Sequence, residues 1–114
     1  MALKLNITLP NGASGEYLRL VNVEWDRNLQ SALGYLALYL NKAQADAAPG
    51  YPLGLVAQLN VRGAPFIQHL SNAALNAPNV NLLSQLYHVA KNEPSCVKII
   101  NGVNLPDLAQ AEDV

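Results

Sequence analysis

The apolar residues of this chain repeat at every second position up to residue 62 and at helical spacing after Gly63. That single change of period limits the fold more than any motif does, because period two belongs to strands and period three-to-four to helices. Leu3, Leu5, Ile7 and Leu9 alternate with Lys4, Asn6 and Thr8, and Pro10-Asn11-Gly12 ends the run with residues that tolerate turn geometry. In residues 17–25 the same alternation puts Tyr17, Arg19, Val21, Val23 and Trp25 on one face and Leu18, Leu20, Asn22 and Glu24 on the other. Two such runs across a short loop predict an antiparallel pair, with Asp26-Arg27-Asn28 as the next turn.

Residues 29–40 fit either period. Leu29, Leu33, Leu36 and Leu40 form a helical stripe, whereas Leu36, Leu38 and Leu40 against Tyr35, Ala37 and Tyr39 form a strand. Gly34 and the two tyrosines favour a strand covered on both faces. Residues 42–48 have room for one helical turn before Pro49-Gly50-Tyr51-Pro52 breaks the chain, and residues 53–62 alternate again, with Leu53, Leu55, Ala57, Leu59 and Val61 on one side. Beyond Gly63, Phe66, Ile67, Leu70 and Ala74 predict a helix that starts at Pro65 and closes at Pro78. Asn79 is the expected cap of a second helix whose stripe is Val80, Leu83, Leu86, Tyr87 and Ala90, ended by Pro94. Residues 96–100 read as a short strand entering an Asn101-Gly102 turn.

Strands followed by helices predict an α+β fold. The expected architecture is an antiparallel sheet of about four strands from the N-terminal half with two C-terminal helices packed on it. Residues 1–104 form that one domain and residues 105–114 a short extended tail. Leu36, Leu38, Leu59, Ile67 and Leu86 are the expected core.

Composition turns attention outward. The 114 residues are 51% hydrophobic and only 13% charged, about half the usual charged share of a soluble domain. Disorder is excluded, since it needs low hydrophobicity with high charge. Thirteen asparagines, among them Asn6, Asn22, Asn41, Asn60, Asn81 and Asn104, stand where charge would normally be. Such an exterior suits either an ordinary domain or a subunit that buries much of its outside, because interface cores are poor in Lys, Glu and Asp. The seven Lys and Arg residues are scattered singly and the net charge is −1, so the basic stripe of a nucleic-acid binder is missing. No apolar run approaches the roughly 18 residues of a membrane span, and the first residues lack a signal-peptide pattern, which makes cytoplasmic synthesis the expectation.

Little of the chain invites chemistry. His69 and His88 lie 19 residues apart without a metal-ligand spacing, and Cys96, the one cysteine, sits in an apolar run that reads as a buried thiol. The seven glycines fall one per turn rather than as a phosphate cradle. Glu24 with Asp26, and Glu112 with Asp113, read as solvated turn and tail carboxylates. No catalytic, metal-binding or cofactor-binding residue is assigned and no cofactor is expected. Aromatic side chains with polar tips are instead frequent interface anchors, which makes Tyr17, Trp25, Tyr35 and Tyr51 the candidate contact residues.

Three stretches carry a resemblance. They are the opening Leu3-Lys4-Leu5-Asn6 with residues 17–23 and the Trp25-Asp26-Arg27 exit; Leu38-Tyr39-Leu40-Asn41-Lys42 with Ala45-Asp46-Ala47 and Pro52-Leu53; and Leu105-Pro106-Asp107-Leu108-Ala109 with Ala111-Glu112-Asp113-Val114. Over about half of the chain this pattern resembles small proteins encoded in the tail and baseplate module of tailed bacteriophages. Residues 54–104 depart from it by being longer and more apolar, with an added helix at residues 65–77. The resemblance implies a non-enzymatic virion structural protein, located in the tail after synthesis in the host cytoplasm. Its partners would be other tail or baseplate proteins and copies of itself, as a homo-oligomer within the particle. A phage-encoded protein that binds and modulates a host protein is the alternative. An enzyme built on His69, His88 or Cys96 is the third reading.

Overall fold

In the computed structural model, residues 2–76, 78 and 80–114 are described. The chain order is β1 (Leu3–Thr8), β2 (Ser14–Asp26), β3 (Ser31–Tyr39), α1 (Lys42–Ala47), β4 (Gly54–Arg62), α2 (Ala64–Leu70), the single turn α3 (Asn72–Leu75), α4 (Leu82–Asn92), β5 (Val97–Ile99) and β6 (Glu112–Asp113). All the strands join one sheet in the order β5-β4-β3-β2-β1-β6, and every neighbouring pair is antiparallel.

The α+β class and the strand at residues 29–40 stand. The N-terminal half supplies the four expected strands, β1–β4, and the sheet is extended to six by β5, inside the short strand expected at residues 96–100, on one edge and by β6 on the other. Two or three residues carry almost no periodicity, so β6 was hidden inside the expected tail. That segment also sends Leu108 and Ala111 into the main core, at 6% and 5% exposure. It crosses under the sheet from the β5 edge to the β1 edge, held by paired backbone bonds between Ala2 and Val114.

The helices α2 and α4 cover one face of the sheet, and α1 covers part of the other. Against α2 and α4 lies the main cluster, with Leu3, Leu18, Leu36, Leu38, Val56, Leu59, Phe66, Leu70, Leu86 and Val89. Against α1 lies a smaller one of Ala2, Tyr17, Ala37, Tyr39 and Ala45. Asn41 caps α1 by accepting from the Gln44 N–H at 2.9 Å, and the Tyr39 hydroxyl donates to the Pro49 carbonyl at 2.6 Å, tying down the connection that follows.

Local irregularities redirect two strands. Asn22 adopts φ 53°, and the β2–β3 register shifts between Val21 and Glu24. A bulge of this kind exchanges the faces beyond it. Tyr17 and Val21 therefore face α1, while Val23 and Trp25 join Leu18 and Leu20 on the α2–α4 side. The expected single face of Tyr17, Arg19, Val21, Val23 and Trp25 is thus split in two. In β4 the shift opposite Leu36 and Ala37 places Leu55 toward α1 and leaves Ala57, Leu59 and Val61 toward α2 and α4.

Pro65 lies in the first turn of α2, as its fixed φ favours. The helix ends at Leu70, well short of Pro78, because Ser71 leaves helical geometry and caps α3 instead. Two side chains satisfy its free carbonyls: Gln85 Nε2 donates to His69 O and Trp25 Nε1 to Leu70 O, both at 3.0 Å. Seven residues present only a narrow stripe, which is Phe66, His69 and Leu70. Ile67, expected in the core, is 56% exposed. Leu36, Leu38, Leu59 and Leu86 are fully buried. Asn79 lies outside the described residues; α4 is capped by Asn81, whose side chain and Ser84 form a reciprocal capping box.

Tyr87 welds α4 to the sheet. Its hydroxyl accepts from the Leu20 N–H at 2.8 Å, on a stretch of β2 that runs past the last residue paired with β1. Tyr87→Phe leaves that buried N–H without a partner and is expected to cost about 1–3 kcal/mol in urea unfolding. Burial raises the Tyr87 phenol above its ordinary 10.0 and the Cys96 thiol above its ordinary 9.0. Each group then ionises first in the unfolded chain, which binds fewer protons than the native state. Stability is accordingly full below pH 9, and is lost as pH rises through the two ordinary values toward the raised ones. The thermal midpoint followed from pH 8 to 11 checks this, and Tyr87→Phe flattens the upper part of the fall.

Candidate interaction surface

The four candidate anchors occupy different environments. Tyr17 is 5% exposed in the cluster under α1, with the Arg19 guanidinium 5.9 Å from its ring centre. Arg19 itself donates to Ala45 O and pairs with Asp46 at 3.1 Å, so this corner serves α1 packing. Trp25 is half-buried, stacked on Phe66 with ring centres 6.2 Å apart. Tyr35 is half-buried on the α1 side of the sheet, between Val21 and Gln58. Tyr51 alone stands free, 85% exposed in the β3–β4 connection. The four do not form one patch.

Large apolar side chains left in water are Leu29, Leu40, Leu53, Ile67, Leu83 and Ile99, besides Tyr51 and Val114. Leu40, Tyr51 and Leu53 belong to the connection that carries α1, near the β1–β2 end, where a side chain on Gly15 would run into Leu53. Leu29 is at the tip of the opposite hairpin, held out by an Asx turn in which Asp26 Oδ1 accepts from the Asn28 and Leu29 N–H groups. Of these only Tyr51 is expected from sequence as a contact residue, and Ile67 is expected in the core. An apolar residue beside turn chemistry, as Leu29 and Leu40 are, was the available signal.

A groove of about 470 Å³ runs beside β5 and is lined by Ala90, Pro94, Val97, Ile99, Leu105 and Leu108 among others. The sheet edges beside and opposite it are open. No described strand pairs with the outer side of β5 or of β6.

The histidines are closer than their spacing implied. His69 and His88 rings lie 5.2 Å apart at 58°, and His69 Nε2 is 3.5 Å from Glu93 Oε1. His69 is buried, at 9%; His88 is exposed, with its Nδ1 3.3 Å from Asn92 Nδ2. The α2–α4 packing that brings them together has no local signature in the sequence. The two rings address different partners, and among the described residues no three His, Cys, Asp or Glu side chains are grouped to hold a metal ion. Cys96 is buried at 6%, where a raised thiol pKa works against nucleophilicity. No described helix is long and apolar enough to cross a membrane.

No protein-family model, curated protein or solved structure matches this chain.

Proposed function

We propose that this protein is a non-enzymatic structural subunit of a tailed-bacteriophage virion, a small tail or baseplate component that joins larger proteins. The observation that carries the reading is a charge-poor chain whose β3–β4 connection holds three large apolar side chains, Leu40, Tyr51 and Leu53, in water. A monomer gains nothing from holding them in water, whereas a subunit packed between neighbours buries them and has few charges to desolvate. The resemblance of its first and last stretches to tail-module proteins supplies the kind of assembly. Partners are other tail proteins and further copies of the chain, and the protein resides in the particle.

Mass spectrometry of purified particles tests this: the chain is expected at a fixed ratio to the major tail proteins. Its absence from intact particles, with recovery of one host protein at unit stoichiometry from lysate, would overturn the reading in favour of a host-protein modulator. Tyr51 gives a residue-level check. Tyr51→Ala is expected to leave stability within about 0.5 kcal/mol, as for an exposed side chain, and to lower incorporation into particles.

A further inference from the structure

The two open edges of the sheet are complementary, and the geometry points to head-to-tail assembly in which β6 of one copy adds to β5 of the next. This rests on the repeated-subunit reading above and specifies its contact. Six strands that are all antiparallel make the two outermost run in opposite directions, so a second copy in the same orientation brings β6 alongside β5 antiparallel. An even strand count is what permits this.

Backbone bonds fix which groups are free. Ile100 N–H donates to Val56 O, so strand alternation turns the N–H and C=O of Val97 and Ile99 away from β4. Ala2 and Val114 exchange both their backbone bonds, so the same alternation turns those of Asp113 outward. The Val97 N–H is already held by the Pro94 carbonyl and the Ala111 N–H by the Leu108 carbonyl. Bonding β6 to β5 of the next copy in the register Asp113–Val97 therefore uses the Asp113 N–H with the Val97 carbonyl and the Ile99 N–H with the Ala111 carbonyl. It also sets Glu112 directly opposite Lys98, in the non-hydrogen-bonded position where side chains approach most closely.

The faces agree as well. Lys98 pairs with Gln58, which pairs with Tyr35, on the α1 side of the sheet. Glu112 pairs with Lys4, which pairs with Tyr17, on that same side. The contact therefore continues a ladder of Lys4, Glu112 and the next copy's Lys98. Both charged side chains are exposed. Ile99, 49% exposed at the rim, gains cover.

Charge at a sheet edge normally prevents pairing with the wrong partner. Here it does so selectively: two β5 edges would oppose Lys98 to Lys98, and two β6 edges would oppose Glu112 to Glu112. Only the unlike edges are compatible, which makes the contact heterologous and repeatable.

Sedimentation velocity on the purified full chain, across a concentration series at low and high salt, tests this. Reversible association weakened by salt is expected. Lys98→Glu and Glu112→Lys are each expected to weaken it about tenfold or more, and the double reversal to restore it. A wild type that stays monomeric to millimolar concentration, or single reversals that change nothing, or a double reversal no better than the singles, would overturn the edge contact. Lys98 makes no side-chain hydrogen bond or ion pair among the described residues, so Lys98→Glu keeps the test valid if Glu112→Lys disturbs β6. Particle content stays a separate readout: a chain present in virions but indifferent to both reversals is a tail subunit with another contact.

Discussion

Phe66→Ala is expected to remove about 3–5 kcal/mol of folding stability. Phe66 is 2% exposed and stacks on Trp25, whose indole N–H caps α2 through Leu70 O. Truncation opens a cavity and also frees the ring that holds the cap, so the loss combines packing with a weakened helix end. The neighbouring Ile67→Ala trims an apolar side chain that is 56% exposed and is expected to stay within about 0.5 kcal/mol. Urea unfolding of the two variants separates them. Equal losses would mean that α2 docks with a different face from the one described.

That pair also shows what was legible in the sequence. Apolar spacing alone marks Phe66 and Ile67 as equivalent members of a helical stripe. Their difference arises because α2 stops at Leu70, where Ser71 turns out to cap α3 and two distant residues, Trp25 and Gln85, satisfy the last carbonyls. No local pattern encodes such a partner. The strands of the N-terminal half were readable because alternation over six to thirteen residues is a strong signal. What alternation could not reveal was the bulge at Asn22, where one residue at φ 53° sends Trp25 to the opposite face from Tyr17. Asn is among the few non-glycine residues that accept that conformation readily, so its presence inside a strand was a hint of modest strength.

The candidate surface was legible in kind more than in place. Low charge and abundant Asn were visible at once, and they are properties of the whole exterior. Of the aromatic anchors only Tyr51 is free, since Tyr17 is enclosed by α1 and Trp25 is engaged with α2. The strand at residues 96–100 is legible and contains β5, whereas the two residues of β6 are too few for periodicity, so the sequence gives no sign that these strands form opposite edges of one sheet. Lys98 and Glu112 become meaningful only when the strand order puts them at opposite rims of one face.

Leu36→Ala is expected to cost about 2–5 kcal/mol, and it separates fold from assembly. Leu36 lies at the centre of β3, fully buried, between Leu20 on β2 and Ala57 on β4. The flanking strands are hydrogen-bonded on both sides and cannot close over the missing atoms without breaking a ladder, which puts the cost in the upper part of that range. A substitution so deep touches no exposed residue and no sheet edge. Its effect on particle incorporation therefore follows the folded fraction, and recovers when the variant is produced at lower temperature. On the proposed virion role Tyr51→Ala is expected to behave the opposite way, with incorporation reduced at full stability. Measured side by side by thermal melting and particle content, the two variants decide whether the exposed side chains act as a surface in their own right. If Tyr51→Ala lowers incorporation only as far as it lowers the melting temperature, the exposed connection is structural and the docking role passes to the sheet edges.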